Sequence, residues 1–156
     1  MRAIDPVGGT LNSTDAGYRV RLAEWDSDAE ALRRVRHAVF VVEQNVPAEL
    51  EWDGSDGDCR HAIAEDAEGR VIGCGRLLAD GHVGRMAVLA SWRGRGVGAA
   101  LLVRLTDLAR ETGMRQLVLN AQTHALPFYA RQGFVARGPI FMEAGIAHRE
   151  MVRELG

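Results

Sequence analysis

The stretch Met86-Ala87-Val88-Leu89-Ala90-Ser91-Trp92-Arg93-Gly94-Arg95-Gly96-Val97-Gly98 organises the whole chain. Its apolar start, residues 86–89, reads as a strand, and beyond it Val97, Leu101, Leu105, Leu108 and Ala109 recur at helical spacing. A glycine-rich turn therefore joins a strand to a helix. Gly94, Gly96 and Gly98 let the backbone approach a ligand with its N–H groups outward, and the helix start behind them adds about half a positive charge. Such a turn binds phosphate. Arg93 and Arg95 can pair with phosphate oxygens through the planar guanidinium fork.

Spacing separates three phosphate-binding patterns. The Walker turn needs Lys-Ser or Lys-Thr after its last glycine, but Ala99 and Ala100 follow here and the sequence has no lysine. The dinucleotide fingerprint is matched weakly by Gly94-x-Gly96-x-x-Ala99; it wants an acidic residue closing the next strand, and residues 116–121 end without one. Ser91, Trp92 and Arg93 also intervene where that turn would leave its strand directly. The third pattern, Arg-x-x-Gly-x-Gly, is met in full by Arg93, Gly96 and Gly98. It resembles the pyrophosphate-binding motif of the GNAT superfamily of N-acetyltransferases, and residues 86–89 resemble that family's fourth strand.

Length and composition set bounds on this reading. A chain of 156 residues, 47% hydrophobic, suits one domain with a real core. A net charge of -2 gives no basic field, so nucleic acid is not an expected partner. All 19 basic residues are arginine, which excludes lysine chemistry such as Schiff bases. Cys59 and Cys74 have no metal or redox spacing, and a reducing cytoplasm is expected. No apolar run reaches membrane-span length and no signal-peptide core opens the chain, so no membrane partner is expected.

Taken in order, residues 1–17 show no periodicity and read as a flexible N-terminal tail; residues 18–156 form the single expected domain. Residues 18–22 alternate as a strand, and Ser27-Asp28-Ala29-Glu30 has the form of a capping box. The helix that follows buries Leu32, Val35, Val39 and Phe40 and stops near Gln44, before Asn45 and Pro47. Residues 49–58 are acidic and glycine-containing. Strands are expected over 60–65, 71–78 and 83–89, joined by turns at Glu68-Gly69 and Asp80-Gly81. The phosphate helix runs to about Thr112, with Gly113 as its stop. A strand over 116–121, a short helix over 125–132 and strands over 134–143 and 148–155 complete the chain. The expected class is α/β (α+β): a mixed, mostly antiparallel sheet with helices on both faces.

Residues 125–134 contain Phe128-Tyr129 and, after three intervening residues, Gly133-Phe134. By itself this is an amphipathic helix with a half-buried tyrosine. Placed downstream of the glycine turn, it resembles the GNAT segment beside the coenzyme A thiol. The resemblance spans about residues 18–155 and implies an acetyl-CoA-dependent N-acetyltransferase, with acetyl-CoA as co-substrate, no metal, and an unidentified small-molecule primary amine as acceptor. The amine attacks the thioester directly, through a tetrahedral intermediate. The resemblance assigns oxyanion stabilisation to a backbone N–H among Met86, Ala87 and Val88, and protonation of the departing thiolate to Tyr129. A tyrosine of pKa about 10 still holds its proton when a thiol of pKa about 8.5 departs. Arg93, Gly94, Arg95, Gly96, Val97, Gly98 and Phe128 are expected against the cofactor. Many members have asparagine seven residues before the tyrosine; here that position is Gln122, and Asn120 is the nearby asparagine assigned to the pantetheine arm.

Residues 39–44 and 141–148 resemble a subgroup of small acetyltransferases in which the first segment walls the acceptor pocket and the late histidine faces it. This places Glu43 and His148 among the candidate catalytic groups, against the alternatives of a solvated helix end and a hydrogen-bonded strand histidine. Asp53 and His124 are further candidates for the base. The acids of 49–58 and Glu43 would favour a cationic or polyhydroxylated acceptor if they line it, or form only a solvated loop. Cys59-x-His61 is too sparse for a metal site, and His37 reads as surface. The rival functions are a non-catalytic acyl-CoA-binding sensor and, through the weak dinucleotide match, a nicotinamide dehydrogenase. Oligomeric state stays open, a homodimer included.

Overall fold

Alternation along the second strand determines how the layers stack. Ala62 and Ala64 belong to one buried cluster and Ile63 between them to another, so a helix must cover each face of the sheet. The computed structural model describes residues 17–48 and 56–156. Its elements are β1 (Tyr18–Leu22), α1 (Trp25–Arg36), β2 (Arg60–Asp66), β3 (Val71–Leu77), β4 (Val83–Val88), α2 (Val97–Glu111), β5 (Gln116–Gln122), α3 (Leu126–Arg131), β6 (Val135–Glu143) and β7 (Ile146–Glu154). Helix α2 buries Val97, Leu101, Leu105 and Leu108 against Ala62, Ile72, Leu77, Leu117 and Met151. Helix α1 covers the opposite face, with Leu32 and Val35 on Ile63, Val71, Cys74 and Ala87.

The sheet is antiparallel in two parts, β1-β2-β3-β4 and β5-β7-β6. The expected mixed character resides in one isolated parallel bridge, His82 to Val118, where the Val118 N–H donates to Gly81 O at 3.0 Å. Beyond that bridge β4 and β5 separate, and the expected single sheet is split there. Gly81 makes the close approach feasible: its φ is +95°, and a Cβ would lie 2.7 Å from Gln116 O. Gly81→Ala is therefore expected to cost about 1–3 kcal/mol in strain, read as a lower urea midpoint at unchanged slope. An unshifted midpoint would mean that the bridge relaxes without cost.

The start of α1 differs from expectation. The helix begins at Trp25, and the Asp28 carboxylate accepts the Glu24 N–H at 2.8 Å, so Asp28 closes the first turn and no Ser27–Glu30 box forms. Downstream, α1 widens into a π-helical segment, His37–Glu43, and ends at Gln44 as expected. The acidic segment is also corrected where it is described. Asp56 is buried and accepts from Arg36 at 2.8 Å and Arg76 at 3.1 Å, so it is an internal ion-pair centre rather than part of a solvated amine attractor. Its neighbours 49–55, with Asp53, lie outside the described residues, as does the tail over residues 1–16.

Candidate functional site

The β3–β4 ladder carries the local irregularity that shapes the site. Cys74 pairs with Ala87 and Arg76 with Gly84, so one residue on β3, Gly75, faces two on β4, Arg85 and Met86. That is a β-bulge, and it reverses the side-chain alternation of β4. Val83 belongs to the α2-side cluster and Ala87 to the α1-side cluster, although four residues of regular strand would leave them on one face. Arg85 is the residue that turns, at φ 49°, a left-handed value that costs a non-glycine residue about 1–3 kcal/mol.

The split between β4 and β5 opens a cavity of about 870 Å³. Met86, Ala87 and Val88 line it from β4, Val97 and Gly98 from the start of α2, and Asn120 and Gln122 from β5. Phe128 and Tyr129 enter from α3, and His148 from β7. Gly98 and Phe128 join the two sequence motifs physically: a Cβ on Gly98 would meet the Phe128 ring at 3.4 Å.

The glycine turn has the geometry that an anion cradle requires. Gly94 and Gly96 adopt φ of 79° and 84°, and Gly96 caps α2 with no side chain over the first N–H groups. Gly94, Arg95 and Gly96 stand outside the cavity lining; Arg93 is within it. The two arginines have further partners. Both terminal nitrogens of Arg93 contact the Glu43 carboxylate, one at 2.7 Å, and its Nε donates to Val88 O at 2.9 Å. Arg95 is exposed and lies over the Trp92 ring at 4.4 Å.

Glu43 is thus held in the mouth of the turn, outside the residues that line the cavity, and the Arg93 guanidinium keeps its carboxyl below the ordinary range. Its neighbour Gln44 does line the cavity and exchanges amide hydrogen bonds with Gln122, the shorter at 2.8 Å. The π-helical segment is consequently tied to the glycine turn by Glu43, and its cap Gln44 to β5.

Tyr129 borders the cavity between Phe128 and Phe134, with edge-on ring contacts at 4.9 and 5.9 Å. Burial pushes its hydroxyl up to about 12, so it remains a proton-bearing donor across the physiological range. His148 is 8% exposed and stacks on Phe141. Its Nδ1 lies 2.7 Å from Ile146 O, which assigns the proton to Nδ1 and leaves Nε2 as the basic nitrogen, 3.8 Å from Glu143. His124 lines the cavity but is exposed. His61 is buried away from the cavity lining, stacked on Trp25 with Nε2 2.9 Å from Asp56 O; burial lowers its pKa. Among the described residues no His, Cys, Asp and Glu cluster suits a metal. His37 is exposed.

Sequence reasoning missed Arg76, Arg85, Gln44 and His82 in the cavity wall. A signal was present: Gly75-Arg76 and Gly84-Arg85 each set an arginine next to a glycine inside otherwise apolar strands. A cation in such a place is either paired or functional.

Comparison with known proteins points to one family. A family model described as an acetyltransferase (GNAT) domain matches residues 26–155. An uncharacterised N-acetyltransferase of Bacillus subtilis, YjcF, is 40% identical over 124 residues, covering 77% of this chain and 88% of that protein. The crystal structure of an acyl-CoA N-acyltransferase from Pseudomonas aeruginosa superposes with a TM-score of 0.77 at 32% identity, over 87% of this chain and 99% of that one. That of Escherichia coli ElaA gives 0.78 at 29% identity, over 88% and 99%.

Proposed function

Because the chain belongs to the GNAT acetyltransferase family and is an acyltransferase, we propose that it transfers an acetyl group from acetyl-CoA to the primary amine of a small molecule in the cytoplasm. One observation carries this reading: the glycine turn, the bulged strand β4, Tyr129 and His148 all border a single cavity or its mouth.

In this reading the Gly94–Gly98 backbone and the start of α2 hold the pyrophosphate, and the arm runs along β4 towards Tyr129. The amine nitrogen attacks the thioester carbon; the C–N bond forms, and the C–S bond breaks as the tetrahedral intermediate collapses. A backbone N–H of the bulged strand, among Met86, Ala87 and Val88, receives the oxyanion. His148 Nε2 takes the proton from the attacking nitrogen, directly or through water. The Tyr129 hydroxyl donates to the departing sulfur. Burial raises a thiolate's pKa as it raises the tyrosine's, so the difference between them governs the transfer. Glu43 acts on Arg93 rather than on the amine, which makes it a positioning residue for the turn.

Acetyl-CoA and free CoA should both raise the melting temperature, because they share the pyrophosphate. At one hundred times Kd the gain is about 2.7 kcal/mol. NADH should give no shift, and Gly96→Asp, which forces a side chain and a negative charge into a left-handed position at φ 84°, should abolish the response to CoA. Unchanged melting with saturating acetyl-CoA would overturn the assignment.

A further inference from the structure

We propose that Glu143 and His148 together bind the acceptor's nitrogen as an ammonium ion, so that the acceptor is a primary alkylamine that carries its charge at neutral pH. This rests on the transferase reading above and specifies how the second substrate is recognised. The β6–β7 hairpin supplies the first argument. Its two-residue turn, Ala144-Gly145, has φ of 54° and 78°, the left-handed pair of a tight hairpin, and sets Glu143 opposite Ile146 and Phe141 opposite His148. Alternation then places these four side chains on one face. Glu143, Ile146 and His148 line the cavity, while Met142, between Phe141 and Glu143, belongs to the other face and is exposed.

Hydrogen-bonding capacity supplies the second. His148 keeps its proton on Nδ1, against Ile146 O, and its ring stacks on Phe141. Nε2 and the Glu143 carboxylate are therefore two acceptors 3.8 Å apart, which cannot bond to each other. A donor with two N–H groups bridges them, and an alkylammonium has three. Among the described residues no arginine pairs with Glu143; Arg93 is paired with Glu43 and Arg76 with Asp56.

Charge supplies the third. The side chain of Glu143 is 58% exposed and that of His148 10%, so the carboxylate stands at the outer end of the pair and the imidazole at the inner end. A lysine-like amine, of pKa about 10.4, arrives protonated and must lose a proton before it attacks. Passing that proton to His148 Nε2 moves the positive charge between two groups that share one carboxylate, so the pairing is kept. The proton then goes to solvent. The neutral nitrogen forms the C–N bond and loses a second proton by the same route, and the C–S bond breaks as Tyr129 protonates the sulfur. Tyr129 regains a proton from solvent, so the balance is one amide, one thiol and one proton released. The cationic acceptor expected from Glu43 is thus met by a different carboxylate, because Glu43 is held by Arg93.

The test is thiol release from acetyl-CoA with primary alkylamines of linear, branched, aryl and hydroxylated body, each beside the alkoxyamine that has oxygen in place of the methylene next to nitrogen. The alkoxyamine keeps the shape and the nucleophilic NH2 group but is uncharged at neutral pH. For the best acceptor, a KM at least fivefold below that of its alkoxyamine, with the ratio falling under twofold in Glu143→Gln through a rise in the alkylamine KM, upholds the proposal. A smaller preference, or one retained in Glu143→Gln, overturns it. Glu143 is exposed, so the variant keeps the fold, which an unchanged acetyl-CoA Kd verifies. If neither series is acetylated while acetyl-CoA still binds, the transferase reading fails on its own. Calorimetry of the alkylamines into the CoA complex then decides the ammonium site: binding weakened at least fivefold in Glu143→Gln upholds it, and no binding to wild type, or binding weakened less than that, overturns it.

Discussion

Tyr129→Phe is expected to lower kcat by about a hundredfold or more while leaving the acetyl-CoA Kd nearly unchanged, the usual size of a general acid's contribution. Phenylalanine keeps the edge-on packing with Phe128 and Phe134 and removes only the hydroxyl. If the hydroxyl were merely structural, turnover would be near normal and stability would fall by about 1 kcal/mol at most. Measuring kcat and Kd on one preparation separates the two, provided that chemistry limits the wild-type rate. The pH profile adds a second check. With the hydroxyl pushed up to about 12, the proton-bearing form persists below that value, so wild-type kcat should show no alkaline fall near pH 10 that vanishes in the phenylalanine variant. Near-wild-type turnover would leave water as the proton source.

Asp56→Asn is expected to destabilise the fold by about 3–5 kcal/mol, the range for removing one partner of a buried ion pair. The substitution preserves volume, but it takes the carboxylate from between Arg36, 1% exposed, and Arg76, 5% exposed. Burial by itself would raise the Asp56 carboxyl; the hydrogen bonds and charges of Arg36, then Arg76, outweigh it and hold the pKa below its ordinary value. The sign follows from that depression. The stabilisation is fully present above the unfolded-state value of about 3.9 and is lost as pH falls through the folded value. Urea unfolding from neutral pH downward should show wild type and variant converging in acid. A constant gap across that window would assign the loss to packing.

The strands, both long helices and the glycine turn were legible because local rules agree with the fold there. The alternation of residues 60–66, the helical spacing from Val97 to Ala109 and the turns at Gly69, Gly81 and Gly113 each specify one conformation. What escaped was non-local. Nothing between residues 83 and 88 announces a bulge, because the reversal is visible only once Gly75 is seen facing two residues. The pairing of Glu43 with Arg93 spans fifty positions and that of Gln44 with Gln122 spans seventy-eight, so their sequence neighbourhoods give no hint of either. Asp56 read as one acid among many in 49–58; its role depends on two arginines twenty positions away on either side. Tyr129 and His148 are proposed through family resemblance, and geometry adds the shared cavity and the tautomer.

The single bridge between β4 and β5 also bears on how the protein behaves among its own copies. Past His82 and Val118, each strand is the border of its sheet, so its outward peptide groups project into the slot instead of into a ladder. Bare borders of this kind invite pairing with foreign chains. Here both borders meet on the cavity, whose wall includes Gln44, Gln122 and Arg93.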